Sequence, residues 1–225
     1  EEQAREILKD SNYFGTMLVH MGIADGMVSG AVHSTADTVR PALQIIKTKP
    51  GVKSVSGAFI MVRGRDDNEK YIFADCAINI DPDANTLADI AVASAETAKL
   101  FDIDPKVAML SFSTKGSGKS DDVTKVVEAT ALVKEEHPEL DIDGELQFDA
   151  AFSPAVARQK SPDSSVAGRS NVFIFPDIQS GNIGYKIAQR LGNFEAIGPI
   201  LQGLNAPISD LSRGSNEEDV YKLAI

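Results

Sequence analysis

The chain has 225 residues, 43% of them hydrophobic, and a formal net charge of -11. This length supports a sizeable core in one large or two small domains, and no apolar run approaches the roughly 20 residues that a membrane span needs. The acidic balance, with no dense block of Lys or Arg, excludes broad binding to nucleic-acid phosphates but not a small anion held by a few local cations. The single cysteine, Cys76, rules out an intramolecular disulfide framework and suits a reducing, cytoplasmic setting. His20, His33 and His137 lack the spacing of a zinc site, so no metal is expected. The chain begins EEQAREILKD, without Met or an apolar leader, and stops at DVYKLAI, about two turns into a helix. Both ends read as cut from something longer.

In chain order, residues 1–9 and 13–21 have helical patterns, and 23–32 reads as a short strand between turn signals. Residues 34–47 return to helical spacing, marked by Val39, Leu43 and Ile46. SVSGAFIMV (54–62) and YIFADCAI (71–78) read as adjacent strands able to form a hairpin, joined by the polar connector RGRDDNEK. Residues 86–101 form an amphipathic helix with Leu87, Ile90, Ala91, Ala98 and Phe101 on one face. KVAMLSFS (106–113) is a short buried strand, and 121–136 is a helix that ends before Pro138. ELQFDAAF (145–152) and NVFIFPDI (171–178) read as strands, 181–191 as a helix, and AIGPILQG (196–203) as the last clear strand. Met17, Met21 and Met27 read as core. Strands separated by helices of this length predict an α/β fold: three layers, α/β/α, around a mostly parallel mixed sheet. A boundary near 81–86 is weakly indicated.

In such sheets ligands sit beyond the carboxyl ends of strands. Four polar loops fall there: GAVHSTADTVRP, SFSTKGSGKS, PDIQSGNIGYK and DLSRG. In the first, Ser34 and Thr35 lie at a helix start whose free N–H groups favour an anion, and Arg40 offers a two-pronged cation. Read alone, an N-cap with a solvated arginine is the simpler account. STKGSGKSDD resembles the end of a Walker A loop, but a glycine is missing where Ser113 stands. Asp121 and Asp122 also oppose a phosphate at the helix entry. No nucleoside triphosphate is expected there; Ser113, Lys115 and Lys119 belong to a solvated loop or to the site of another ligand. Gly181 and Gly184 permit close backbone approach, with Asn182 offering an amide; a Gly-rich turn without ligand is equally consistent. Asp149 reads as a capping aspartate. In DLSRGSNEEDV, Ser215 and Glu218 have capping-box spacing, which leaves Ser212 and Arg213 in the entering loop and Asp219 one turn inside. Read alone, a capped helix with an Arg–carboxylate pair is the simpler account of this stretch.

Taken together the loops change the weighting. ADGMVSGAVHSTADTVRPALQIIKT, LSFSTKGSGK, GELQFDAAFSP, NVFIFPDIQSGNIGYKIAQRLG, AIGPILQGLNAPISDLSRG and the following EEDV resemble, in order and along essentially the whole chain, the phosphate acetyltransferases (phosphotransacetylases) of the phosphate acetyl/butyryl transferase family. The resemblance implies reversible acetyl transfer between coenzyme A and phosphate, giving acetyl phosphate and the free thiol. It implies two α/β domains with the active site in the cleft between them, and a homodimer. Coenzyme A then enters as substrate, with no tightly bound cofactor. Residues 1–48 would be the remainder of a first domain, 49–209 a second, and 210–225 a return to the first. Asp219 would be the base for the thiol, Ser212 a hydrogen-bond donor to the developing charge, and Arg213 a substrate cation. Ser34, Thr35, Arg40, Ser113, Lys115 and Asn182 are the substrate-binding candidates.

The chemistry limits this assignment. A model-compound carboxylate near 3.9 taking a proton from a thiol near 8.5 goes uphill by about 6 kcal/mol. Either burial must favour the neutral acid, or proton transfer must accompany attack while Arg213 stabilises the emerging charge. Neither route needs a metal or an acyl-enzyme. The resemblance also admits two other readings: a phosphate butyryltransferase and a non-catalytic regulatory domain.

Overall fold

The structure is a computed structural model that describes residues 1–64 and 69–224. It divides into two compact units: unit 1 is residues 1–55 with 197–225, and unit 2 is residues 56–196. The return to the first unit thus begins at Ile197 rather than at 210. The 81–86 stretch joins a strand to a helix inside unit 2 and is no boundary.

Unit 1 carries helices α1 (Glu2–Ile7) and α2 (Ser11–His20), strand β1 (Met27–Gly30), and helix α3 (Thr35–Pro41), which runs on as a π-helical segment, Ala42–Ile46. After residue 196 it adds most of strand β7 (Glu195–Gln202), strand β8 (Ile208–Leu211) and helix α9 (Glu217–Ala224). β1 and β8 pair in parallel with Met27 opposite Ile208 and Gly30 opposite Leu211. β7 runs antiparallel to β8. β8 had no expected counterpart. ISDL is short and half polar, and it becomes a strand through pairing with residues far back in the chain. Thr16, Val19, Val39, Ala42 and Ile46 are buried, whereas Met21 is 63% exposed and so is not core.

Unit 2 is a sheet in the order β2 (Ser56–Arg63), β3 (Glu69–Ala74), β6 (Val172–Ile174), β4 (Val107–Leu110), β5 (Ile142–Leu146). β2 and β3 are the expected antiparallel pair and the other neighbours are parallel, so the sheet is mixed and mostly parallel. Residues 65–68 of the connector lie outside the described residues. Helix α4 (Ala84–Leu100) starts on Asp83, whose carboxylate accepts the Thr86 N–H, and α5 (Asp121–Glu136) starts on Ser120. FDAAF is not a strand. Chain pairing ends at Leu146, and Phe148–Phe152 coils into α6, followed by α7 (Pro154–Lys160) with Pro at its first position. Helix α8 spans Ile178–Leu191. The core packs Phe59, Phe73, Leu110, Leu146, Phe173 and Tyr185, with the Phe59 and Tyr185 rings stacked 4.0 Å apart.

Candidate active site

Strands β1 and β8 of unit 1 deliver two of the four polar loops to one place. Because β1 and β8 run parallel and in register, both end at the same level. The Ala31 N–H still donates to the Leu211 carbonyl at 3.1 Å before the chains part. Gly30 is required at this junction. Its φ is +107°, and a Cβ there would lie 2.3 Å from both the N and the O of Leu211. One chain then enters α3 and the other the DLSRG loop.

The start of α3 is held twice. Ser34 caps it: its hydroxyl receives the Asp37 N–H at 3.3 Å, and the Asp37 carboxylate receives the Ser34 N–H at 3.3 Å and the Ser34 hydroxyl at 2.7 Å. These bonds lower the Asp37 pKa, with smaller help from the Arg40 and His33 charges. Thr35 reaches across to β8, donating its hydroxyl to Asp210 Oδ2 at 2.6 Å. Arg40 is exposed, with its guanidinium 3.8 Å from Asp37.

In the DLSRG loop the Ser212 hydroxyl is exposed and accepts the Gly214 N–H at 3.3 Å, while the Ser212 carbonyl takes the Ser215 N–H. The cap of α9 falls one residue later than the spacing of Ser215 and Glu218 suggests. Asn216 Oδ1 accepts the N–H groups of Glu218 and Asp219 at 2.9 and 3.0 Å, and Asp219 Oδ2 accepts the Asn216 N–H at 2.9 Å. Asn216 and Asp219 therefore form the reciprocal pair. The Arg213–Asp219 pair of the simpler reading does not form. Among the described residues no carboxylate lies within ion-pair reach of the exposed Arg213. Ser34, Thr35, Ser212 and Arg213 are thus on two loops that leave neighbouring strand ends, with Arg40 and Asp219 one turn into the helices that follow.

Three candidates lie in unit 2, and each is engaged within it. Ser113 is fully buried and donates to Glu145 Oε1 at 2.8 Å; the same oxygen accepts the Gly116 N–H at 2.7 Å. Lys115 reaches Asp143 Oδ1 at 2.6 Å, where Lys134 joins it at 2.8 Å. The STKGSGK loop is therefore folded around Glu145 and Asp143, and α5 opens with Asp121 and Asp122, unlike a phosphate cradle. Asn182 lies inside α8, with its Nδ2 donating to the Cys76 carbonyl at 3.0 Å and its Oδ1 receiving Lys186. Gly181 serves packing: a Cβ there would sit 2.2 Å from the Asp75 carbonyl oxygen. Asp149 pairs with Lys160 at 2.8 Å. Among the described residues no group of three or more His, Cys, Asp or Glu side chains is placed to hold a metal ion.

The residue that sequence reasoning passed over is Asp210. It is 2% exposed, and the signal available was an acid inside the short strand ISDL, next to the loop under suspicion. Burial pushes its carboxyl up, and the Thr35 and Thr38 hydroxyls pull it part of the way back.

The whole chain, residues 1–225, matches the family described as phosphate acetyl/butaryl transferase. It is 69% identical over 225 residues to the phosphate acetyltransferase of Bacillus subtilis, covering 100% of this chain and 69% of that protein. It is 63% identical over 229 residues to the phosphate acetyltransferase of Staphylococcus aureus strain Mu50, with the same coverage. The crystal structure of a phosphotransacetylase from Streptococcus pyogenes superposes with a TM-score of 0.94 at 70% identity, over 99% of this chain and 68% of that one. With every residue inside the family match and identity this high, the chain belongs to the phosphate acetyl/butaryl transferase family.

Proposed function

We propose that this protein is a phosphate acetyltransferase that moves an acetyl group reversibly between coenzyme A and phosphate, using Ser212, Arg213 and Asp219 as its catalytic residues. The observation that carries the assignment of residues is the exposed guanidinium of Arg213, which has no carboxylate within ion-pair reach among the described residues, next in sequence to the exposed Ser212, on a loop that leaves β8 level with the start of α3. A cation left without a carboxylate is free to bind an anionic substrate and to oppose negative charge as it develops. The acetyl reading, rather than the butyryl one, rests on the names of the relatives at 69% and 63% identity.

Asp219 is half-exposed. Proton transfer accompanies attack. The thiol proton passes to Asp219 as sulfur bonds to the acetyl carbon, and the bond from that carbon to the bridging oxygen breaks. Phosphate leaves with the electron pair, and Arg213 and Ser212 stabilise the charge in transit. Ser34, Thr35 and Arg40 bind the phosphoryl end. Coenzyme A is a substrate, and the chemistry calls for no resident cofactor. Localisation is cytoplasmic, in keeping with one buried free thiol, Cys76. The protein acts as a homodimer; the exposed row Ile183, Ile187 and Leu191, spaced four apart on α8, is the apolar surface that supports this.

The test is an assay of the complete protein with acetyl phosphate and coenzyme A, following the thioester. Acetyl phosphate consumed faster than butyryl phosphate supports the reading. A preference for the longer chain makes it a butyryltransferase, and no thioester at all makes it a non-catalytic member of the family.

A further inference from the structure

The first turn of α3 and the DLSRG loop are joined by one side-chain bond, from Thr35 Oγ1 to Asp210 Oδ2 at 2.6 Å. Asp210 is 2% exposed and Thr38 is fully buried. No hydrogen bond of ordinary length reaches Asp210 Oδ1 or Thr38 Oγ1, although the Thr38 hydroxyl lies near enough to favour the carboxylate. A buried acceptor left unsatisfied is costly, and an apolar residue at this end of β8 would avoid that cost. Leu211 and Ile208 do fill their places as ordinary buried residues. An acid stands where packing alone would prefer an aliphatic side chain, two residues before Ser212.

The neighbouring geometry says what that acid does. Gly30 brings β1 close enough that a Cβ on it would lie 2.8 Å from Asp210 Oδ1, so the carboxyl fills the gap between the strand ends. Its free oxygen faces inward, and its bonded oxygen takes the one proton of the Thr35 hydroxyl. That bond sets the rotamer of Thr35 and ties the N-terminal turn of α3 to the backbone that carries Ser212 and Arg213. We infer that Asp210 is a positioning residue of the transferase site, latching Thr35 so that the α3 entry and the DLSRG loop stay in fixed register when the acyl phosphate binds. This rests on the reading of unit 1 as the site of acetyl transfer. Asp210 need not touch substrate; it acts through Thr35.

The experiment compares three variants in the complete protein: Asp210→Ala, Asp210→Asn and Thr35→Val, with the Asp210→Ala/Thr35→Val double. Asn keeps an oxygen for the Thr35 hydroxyl and offers an N–H to Thr38, so it restores most of what Ala loses. In Asp210→Ala, KM for acetyl phosphate rises about tenfold while KM for coenzyme A stays within about twofold. Thr35→Val gives at least that rise, since it also removes a contact to the phosphoryl end, and the double variant is no worse than Thr35→Val alone, because the latch bond is already gone. Amide hydrogen exchange over residues 31–37 reads the latch without turnover: it quickens in Ala and Val and not in Asn. If Asp210→Ala lowers only the yield of active protein, leaving both KM values and the exchange of 31–37 at parental levels, the latch is wrong. Additive losses in the double variant, or an Asn variant as impaired as Ala, overturn it as well. Should the parent protein make no thioester, the transferase reading fails, and the exchange result still decides whether Asp210 holds the loop.

Discussion

Asp143 is a sensitive place to test the energetics of unit 2. It is 5% exposed on β5, and one of its oxygens takes both Lys115 at 2.6 Å and Lys134 at 2.8 Å. Burial works against its charge, but hydrogen bonds from Lys115, Lys134 and Ser164, with the Lys115 charge, bring it from an ordinary 3.8 down to about 2. That fall corresponds to about 2.5 kcal/mol of stability at neutral pH. The sign follows from the depressed value: the contribution is complete above the unfolded-state pKa and disappears as pH falls through 3.8 towards 2. It is about 2.4 kcal/mol at pH 5 and about 1.3 kcal/mol at pH 3. Asp143→Asn removes the titration and leaves two lysines without their carboxylate. Urea unfolding of parent and variant, measured from pH 7 down to pH 3, is expected to show a gap of about 2–3 kcal/mol that narrows by about 1 kcal/mol below pH 5. A gap under about 0.5 kcal/mol at pH 7, or one that stays constant down to pH 3, refutes the account of a buried carboxylate held ionised by two lysines.

Asp219→Asn keeps the fold and most coenzyme A binding but loses roughly a hundredfold or more in rate, and the acidic limb of kcat/KM flattens. Full activity with an unchanged profile leaves Asp219 as a helix cap and nothing else. Arg213→Lys lowers kcat/KM by a factor of about ten or more, since a point ammonium does not reproduce a two-pronged contact; a parental value shows that Arg213 does not bind substrate through its fork. Gly181→Ala puts a methyl 2.2 Å from the Asp75 carbonyl, so α8 must shift. The expected loss is about 1–3 kcal/mol, read as a fall in Tm of about 3–10 °C, and an unchanged Tm shows that the helix is free to move.

What the sequence made legible was local. Helix α5 is where residues 121–136 predict it, because Ser120 supplies the cap and Pro138 a stop within two residues. The β2–β3 pair was readable from two β-rich runs and a polar connector. FDAAF was misread because a short apolar run has no period of its own. Its chain turns at Gln147 into a single helical turn that buries Ala150 and Ala151. β8 was invisible for the opposite reason: Ser209 and Asp210 look like loop residues until β1 lies beside them. The capping box was placed one residue early because Ser215/Glu218 and Asn216/Asp219 both have the right spacing, and only the backbone chooses between them. At the candidate site, the loops were identifiable by residue type. Asp210 was not, because its meaning comes from what it is buried against.

The parallel pairing of residues 27–30 with 208–211 has a consequence for the life of the protein on the ribosome. Unit 2 is one uninterrupted stretch and can close while synthesis continues, whereas unit 1 waits for its second half. Until Ile208 to Leu211 have emerged, β1 has no parallel partner, Thr35 has no Asp210, and Ser212 and Arg213 do not exist. A nascent or prematurely released chain can therefore hold a folded unit 2 and still have no place to bind acyl phosphate.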